Sequence, residues 1–147
     1  MAIDAACSIC NRLDRWHRGE NPYVIHEFPH SLWVVGDHQF HPGYTLLLLK
    51  EHVRELHELP RGVQLAFFDE VMTAGQVIVD LFQPWKMNYS CYGNLDPHLH
   101  WHLFPRRADD PDRTGLPWKH ADRFGGAAIG AEEAQALATR IRVGLAG

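Results

Sequence analysis

Residues 98–103 read His-Leu-His-Trp-His-Leu, a strict alternation of imidazole and apolar side chains that an extended strand sorts into two uniform faces. In such a strand His98, His100 and His102 line one face at a spacing of about 7 Å, while Leu99, Trp101 and Leu103 line the other. The outer two histidines then stand about 13 Å apart, too far for all three rings to converge on one metal with bonds of about 2 Å. Their roles therefore divide. A strand that merely faces water mixes Thr, Lys, Glu and Arg on its polar side, so three imidazoles in alternation point to chemistry.

The rest of the chain bounds what that chemistry can be. Its 147 residues suffice for one domain with a buried core, and 1–147 reads as a single unit. No apolar run approaches the roughly 20 residues of a membrane span. Met1-Ala2-Ile3-Asp4 lacks the basic patch and apolar stretch of a secretory leader, which places the expected location in the cytoplasm. A formal charge of −4 gives nothing to drive counterion release along a nucleic-acid backbone, so neither nucleic acid nor membrane is an expected partner. Arg106 and Arg107 remain compatible with a small phosphorylated ligand.

Short apolar segments bounded by turn residues organise the chain. Tyr23–Phe28 and Leu32–Val35 read as antiparallel strands around Pro29-His30-Ser31, and Tyr44–Leu49 as a buried central strand. Pro60 suits the first turn of a helix reaching about Gln83, with Phe67, Val71, Ala74, Ile78 and Leu81 on one face. Lys86–Tyr92 is the next strand, and Gly93–Pro97 is the turn that delivers the chain into the histidine strand. Residues 108–115 form a loop. A last helix opens on Glu132 and Glu133 and closes on Arg140 and Arg142, the charge order that complements a helix dipole. The predicted fold is α+β: a five-stranded antiparallel meander packed with one long helix and a C-terminal helix.

Three cysteines leave one unpaired, and Cys7-Ser8-Ile9-Cys10 has the spacing of a zinc knuckle. By itself the pair is equally consistent with zinc or with an incidental or redox role, although the βαβ context of a thioredoxin-like motif is missing. Cys91 is expected as a buried strand residue.

Pro97-His98-Leu99-His100-Trp101-His102-Leu103-Phe104-Pro105-Arg106 resembles the signature of the histidine triad (HIT) superfamily of nucleotide hydrolases and nucleotidyl transferases. Leu46–His52 is similar to the hydrophobic strand ending in Lys-x-His that lies upstream in that family, and Cys7–Cys10 to the N-terminal pair of its zinc-bearing bacterial members. The resemblance implies a structural zinc on Cys7, Cys10, His52 and His98, with His57 as the rival ligand. It also implies a nucleotidyl-histidine formed on His100, with His102 hydrogen-bonding near the phosphate and leaving group. Asn88 and Asn94 are expected as amide donors to phosphate, and Asp37 as the ribose acceptor, though an ordinary turn aspartate fits Asp37 equally well. Where many relatives carry Gly-Gln-Ser or Gly-Gln-Thr before the triad, this chain has Gly93-Asn94-Leu95-Asp96-Pro97.

The compact form looks most like bacterial diadenosine tetraphosphate hydrolase-like proteins. It implies a dinucleoside polyphosphate hydrolase acting at the α-phosphate, and a homodimer, since relatives pair two such sheets edge to edge. The alternatives are a nucleoside phosphoramidate hydrolase, a nucleotide-binding regulatory module with little turnover, and a mononuclear metal oxygenase. The last needs a carboxylate ligand and redox-active iron.

Overall fold

The structure is a computed structural model that describes residues 4–147; residues 1–3, on which the leader expectation partly rests, lie outside it. The chain runs through helix α1 (Ser8–His17), strands β1 (Val24–Glu27), β2 (Ser31–Val35) and β3 (Thr45–Leu49), helix α2 (Arg61–Phe82), strands β4 (Lys86–Ser90) and β5 (His100–Arg106), and helix α3 (Ala131–Ala146). One five-stranded antiparallel sheet has the order β1-β2-β3-β5-β4. The α+β class, five strands and two main helices are as expected. The sequential order of a meander holds only through β3, because α2 carries the chain to the far edge and β5 returns between β3 and β4.

The period of two explains the layering. Trp33, Val35, Leu47, Leu49 and Leu103 face α2 and α3, where Phe67, Val71, Ala74, Ile78, Ala138 and Ile141 complete the main core. Their neighbours Leu32, Val34 and Leu48 face the other way and are covered by Ile9, Cys10 and Leu13 of α1. With both faces covered, β2 and β3 are apolar after their first residues, Ser31 and Thr45, rather than alternating. Helix α1, which the sequence reading did not anticipate, thus covers the sheet face on which His100 and His102 lie. Among the described residues no helix is long and apolar enough to cross a membrane.

The helix ends follow local chemistry. Pro60 takes the capping position just ahead of α2 rather than a place inside its first turn, and Gln83 closes the helix in the left-handed region at φ 49°, its amide donating to the Val79 carbonyl. In α3, Arg142 donates to the carbonyls of Ile25 and Val24 at 2.8 and 2.9 Å, which ties the helix to β1 instead of serving its dipole. Cys91 lies just past β4 and is half-buried, not a strand residue.

Candidate active site and adjoining metal centre

Strand β5 begins at His100, not at His98. His98 sits in the bend before it, where its own amide donates to the Asp96 carbonyl and the Leu99 amide to the Val53 carbonyl. This break in the strand turns the His98 ring toward α1 and away from the other two imidazoles. His98 Nε2–H donates to the Leu49 carbonyl at 2.6 Å, which leaves Nδ1 unprotonated and facing the cysteines.

Cys7, Cys10, His52 and His98 each offer one ligand atom, and the four atoms lie within 4.8 Å of one another. Cys7 Sγ is 3.4 Å and Cys10 Sγ 3.6 Å from His98 Nδ1; His52 Nδ1 is 3.2 Å from both Cys10 Sγ and His98 Nδ1. A tetrahedron with ordinary zinc–sulfur and zinc–nitrogen bonds has edges of about 3.3–3.8 Å, so the donor set fits that ion with little adjustment. The Leu49 carbonyl behind His98 is the kind of outer partner that fixes the ring of a ligating histidine. His57 is not part of the cluster.

His100 and His102 project from the same face of β5, with ring centroids 4.8 Å apart and the rings nearly perpendicular. His100 Nδ1–H donates to the His98 carbonyl at 2.7 Å, so its Nε2 carries the free lone pair. His102 has the opposite arrangement. The Tyr44 hydroxyl lies 2.6 Å from His102 Nδ1, and burial pushes the Tyr44 phenol pKa upward, so the hydroxyl keeps its proton and donates it, leaving the hydrogen of His102 on Nε2. Burial first, then the neighbouring His100 and His38, push the His102 pKa down to about 3, and the ring is neutral at physiological pH. The site therefore presents one bare imidazole nitrogen beside one imidazole N–H.

Tyr44 is held by stacking on Phe104 at 4.2 Å and on His38 at 4.7 Å. A Cβ at Gly36 would come within 2.2 Å of the Tyr44 ring, so the absence of a side chain there is what lets the ring lie flat.

Two cavities open from the imidazole pair. The smaller, about 160 Å³, runs beneath α1 between Arg12, Asp37, His38 and Asp96; the larger, about 540 Å³, runs toward Tyr92, Asn94, Leu116 and Trp118. His100, His102, Tyr44 and Asp96 border both. Asp37 thus lies in the site, but its carboxylate already accepts from the Arg12 guanidinium at 2.8 Å. Ser8 Oγ donates to Asp96 at 2.8 Å, so α1 grips both walls of the smaller cavity.

Asn94 lines the larger cavity, whereas Asn88 lines neither. Asn88 pairs with Phe104, while Ser90 is the β4 residue opposite His102. The Asn88 carbonyl oxygen accepts from Arg106, whose buried guanidinium is consumed by Asp110, Gly115 O and Asp112 O as well. Arg107 is paired with Asp109 on the surface. Neither arginine lines a cavity containing the imidazole pair, so both serve the loop instead of a phosphate at His100. The sequence reading missed Tyr44, Ser8, Arg12 and Trp118. All four act through contacts distant along the chain.

Comparison with known proteins gives the family and the fold. Residues 18–109 match the HIT domain family model, and the chain belongs to that family. Protein hit of Bacillus subtilis (strain 168) is 28% identical over 106 residues, 68% of this chain and 72% of that protein. A Zn-bound histidine triad family protein from Mycobacterium smegmatis shares the fold with a TM-score of 0.67 at 19% identity, over 96% of this chain and 94% of that one. Diadenosine triphosphate hydrolase of Plasmodium falciparum, solved with Cyclomarin A, gives 0.61 at 16% identity, over 83% and 75%.

Proposed function

We propose that the protein is a hydrolase acting at the α-phosphate of a nucleotide through a nucleotidyl-histidine on His100. Its substrates are nucleoside polyphosphates of the diadenosine polyphosphate kind or nucleoside phosphoramidates. The observation that carries this is the tautomer of His100: with Nδ1–H committed to the His98 carbonyl, Nε2 is a ready nucleophile that needs no separate base. Nε2 bonds to the α-phosphorus as the bond to the leaving oxygen or nitrogen breaks. The imidazolium formed is stabilised through Nδ1–H by the same carbonyl. Water then opens the P–Nε2 bond and frees the nucleoside monophosphate.

His102, being neutral, donates a hydrogen bond from Nε2 to the phosphate or leaving atom instead of transferring a full proton, and a departing nitrogen is protonated by solvent. Asn94 supplies an amide donor in the larger cavity, and Asp37 an acceptor for ribose hydroxyls in the smaller. Cys7, Cys10, His52 and His98 would hold zinc. Four protein ligands leave no open position, so the ion's contribution is structural. The Zn-bound mycobacterial protein of the same fold supports the zinc reading, and the Plasmodium diadenosine triphosphate hydrolase the reading as a hydrolase.

The test is a rapid acid-free quench during turnover of a nucleotide labelled at the α-phosphorus. Label bound to the protein and mapped to the peptide containing His100 is the expected result; turnover without protein-bound label at any time would sink the covalent route. Tyr44→Phe removes the donor that fixes His102 and leaves its tautomer free. It is expected to lower kcat about tenfold, the value of one hydrogen bond, with little change in KM in steady-state assays.

A further inference from the structure

We propose that Arg12 is a gate on the nucleoside half of the site: its guanidinium occupies the Asp37 carboxylate, and a nucleoside binds by exchanging its 2′,3′-diol for that guanidinium. The gate rests on the reading of Asp37 as the ribose acceptor and adds a group that competes for it. Arg12 lies ahead of residues 18–109, outside the segment that matches the family model.

The two terminal nitrogens of Arg12 donate to the two oxygens of Asp37, one of them at 2.8 Å, in the parallel pairing that suits a planar guanidinium and a carboxylate. Arg12, Asp37, His38 and Asp96 wall the smaller cavity, which holds about 160 Å³ with this pair closed. Small-molecule sites begin at roughly 300 Å³. A nucleoside therefore meets a cavity that is too small and an acceptor already in use, and parting the pair removes both obstacles.

The surroundings decide which atoms move. The backbone of α1 is fixed, with Ile9, Cys10 and Leu13 buried against β2 and β3 and Ser8 tied to Asp96. The backbone of Asp37 is pinned as well, its carbonyl accepting from the Ile129 amide at 2.9 Å. Only the two side chains are left to part. They are 38% and 52% exposed, and among the described residues the Arg12 guanidinium has no hydrogen-bond partner other than Asp37, so it can turn out into water on its apolar stem. An ion pair this exposed is worth at most about fivefold in an equilibrium constant. That suits a contact which a ligand must break, because ribose hydroxyls donating to the carboxylate replace it.

Adenosine is the probe for the test. It is uncharged at neutral pH and carries the diol without a phosphate, so its binding involves neither chemistry at His100 nor a charge of its own. Calorimetry on the native protein should give an affinity that rises about twofold between about 0.02 M and about 0.5 M sodium chloride, since salt screens the competing pair. Arg12→Gln should bind adenosine severalfold more tightly at low salt, up to about fivefold, and should lose the salt dependence. Arg15→Gln, at an α1 side chain that donates to the Glu20 carbonyl and does not line the cavity, should behave as the native protein does. On the Arg12→Gln background, Asp37→Asn should weaken adenosine about tenfold, because hydroxyls lose a charged acceptor.

A native affinity that is flat or falls with salt overturns the gate. Equal or weaker binding by Arg12→Gln overturns it too, and shows that Arg12 holds Asp37 ready for ribose instead of withholding it. Equal affinities with and without the Asp37 carboxylate would instead remove the ribose reading, and the exchange with it. The salt titration needs no variant, and none of these readouts depends on the nucleophile.

Discussion

His100→Asn is expected to lower kcat by on the order of 10⁴-fold or more on every nucleotide substrate, the scale seen when a covalent nucleophile is removed. The asparagine amide can still donate to the His98 carbonyl, so the bend before β5 and the packing of the imidazole face should persist, with an unchanged melting temperature and largely intact nucleotide affinity. His102→Asn should cost less, about 10²-fold, because it removes a hydrogen-bond donor while leaving the attacking atom in place. The ratio between the two variants is the informative quantity. Near-normal hydrolysis by His100→Asn, in preparations freed of contaminating phosphodiesterase, would remove the covalent mechanism even though the family assignment stands.

The sorting of residues 99–103 onto two faces was legible because alternation is a property of consecutive residues. Leu99, Trp101 and Leu103 go to the main core as the pattern requires. The apolar runs of β2 and β3 announced buried strands for the same reason. What the local pattern could not show was the break at His98, because it depends on backbone hydrogen bonds to Asp96 and Val53. The return of β5 between β3 and β4 was equally hidden, being a choice among long-range pairings.

Asn88 illustrates the limit well: its parity is right and it shares a face with Phe104 and His102, but the register sets it opposite Phe104, where Arg106 claims it. Helix α1 escaped notice because much of its surface is polar or charged, with Asn11, Arg12, Asp14 and Arg15 interleaved with the buried Ile9, Cys10 and Leu13. Tyr44 and Trp118 reach His102 from 58 and 16 residues away along the chain. Only the folded sheet makes them neighbours.

Helix α1 is also where the second large effect is expected. Removal of the proposed zinc by a strong chelator, or its loss in Cys10→Ser, should lower the melting temperature by roughly 10 °C, corresponding to a few kcal/mol in a chain of this size. The fold should not be abolished, as it is in a zinc finger, because the core between the sheet and α2 and α3 is built without the cluster. The loss should concentrate in α1, whose remaining ties include the packing of Ile9, Leu13 and Trp16, the Arg12–Asp37 pair, and the Ser8–Asp96 and Asn21–Arg12 hydrogen bonds. Hydrogen exchange should therefore accelerate over residues 8–17 more than over α2.

Activity should fall with the same treatment for a reason visible in one residue. The His98 side chain belongs to the cluster while its carbonyl holds His100 Nδ1, so freeing the ring loosens the bend that orients the nucleophile. Metal analysis of unchelated protein should give about one zinc per chain. Fully folded protein that contains no metal as isolated, with α1 protected from exchange, would show that the four side chains meet for another reason and would break this link between the cluster and His100.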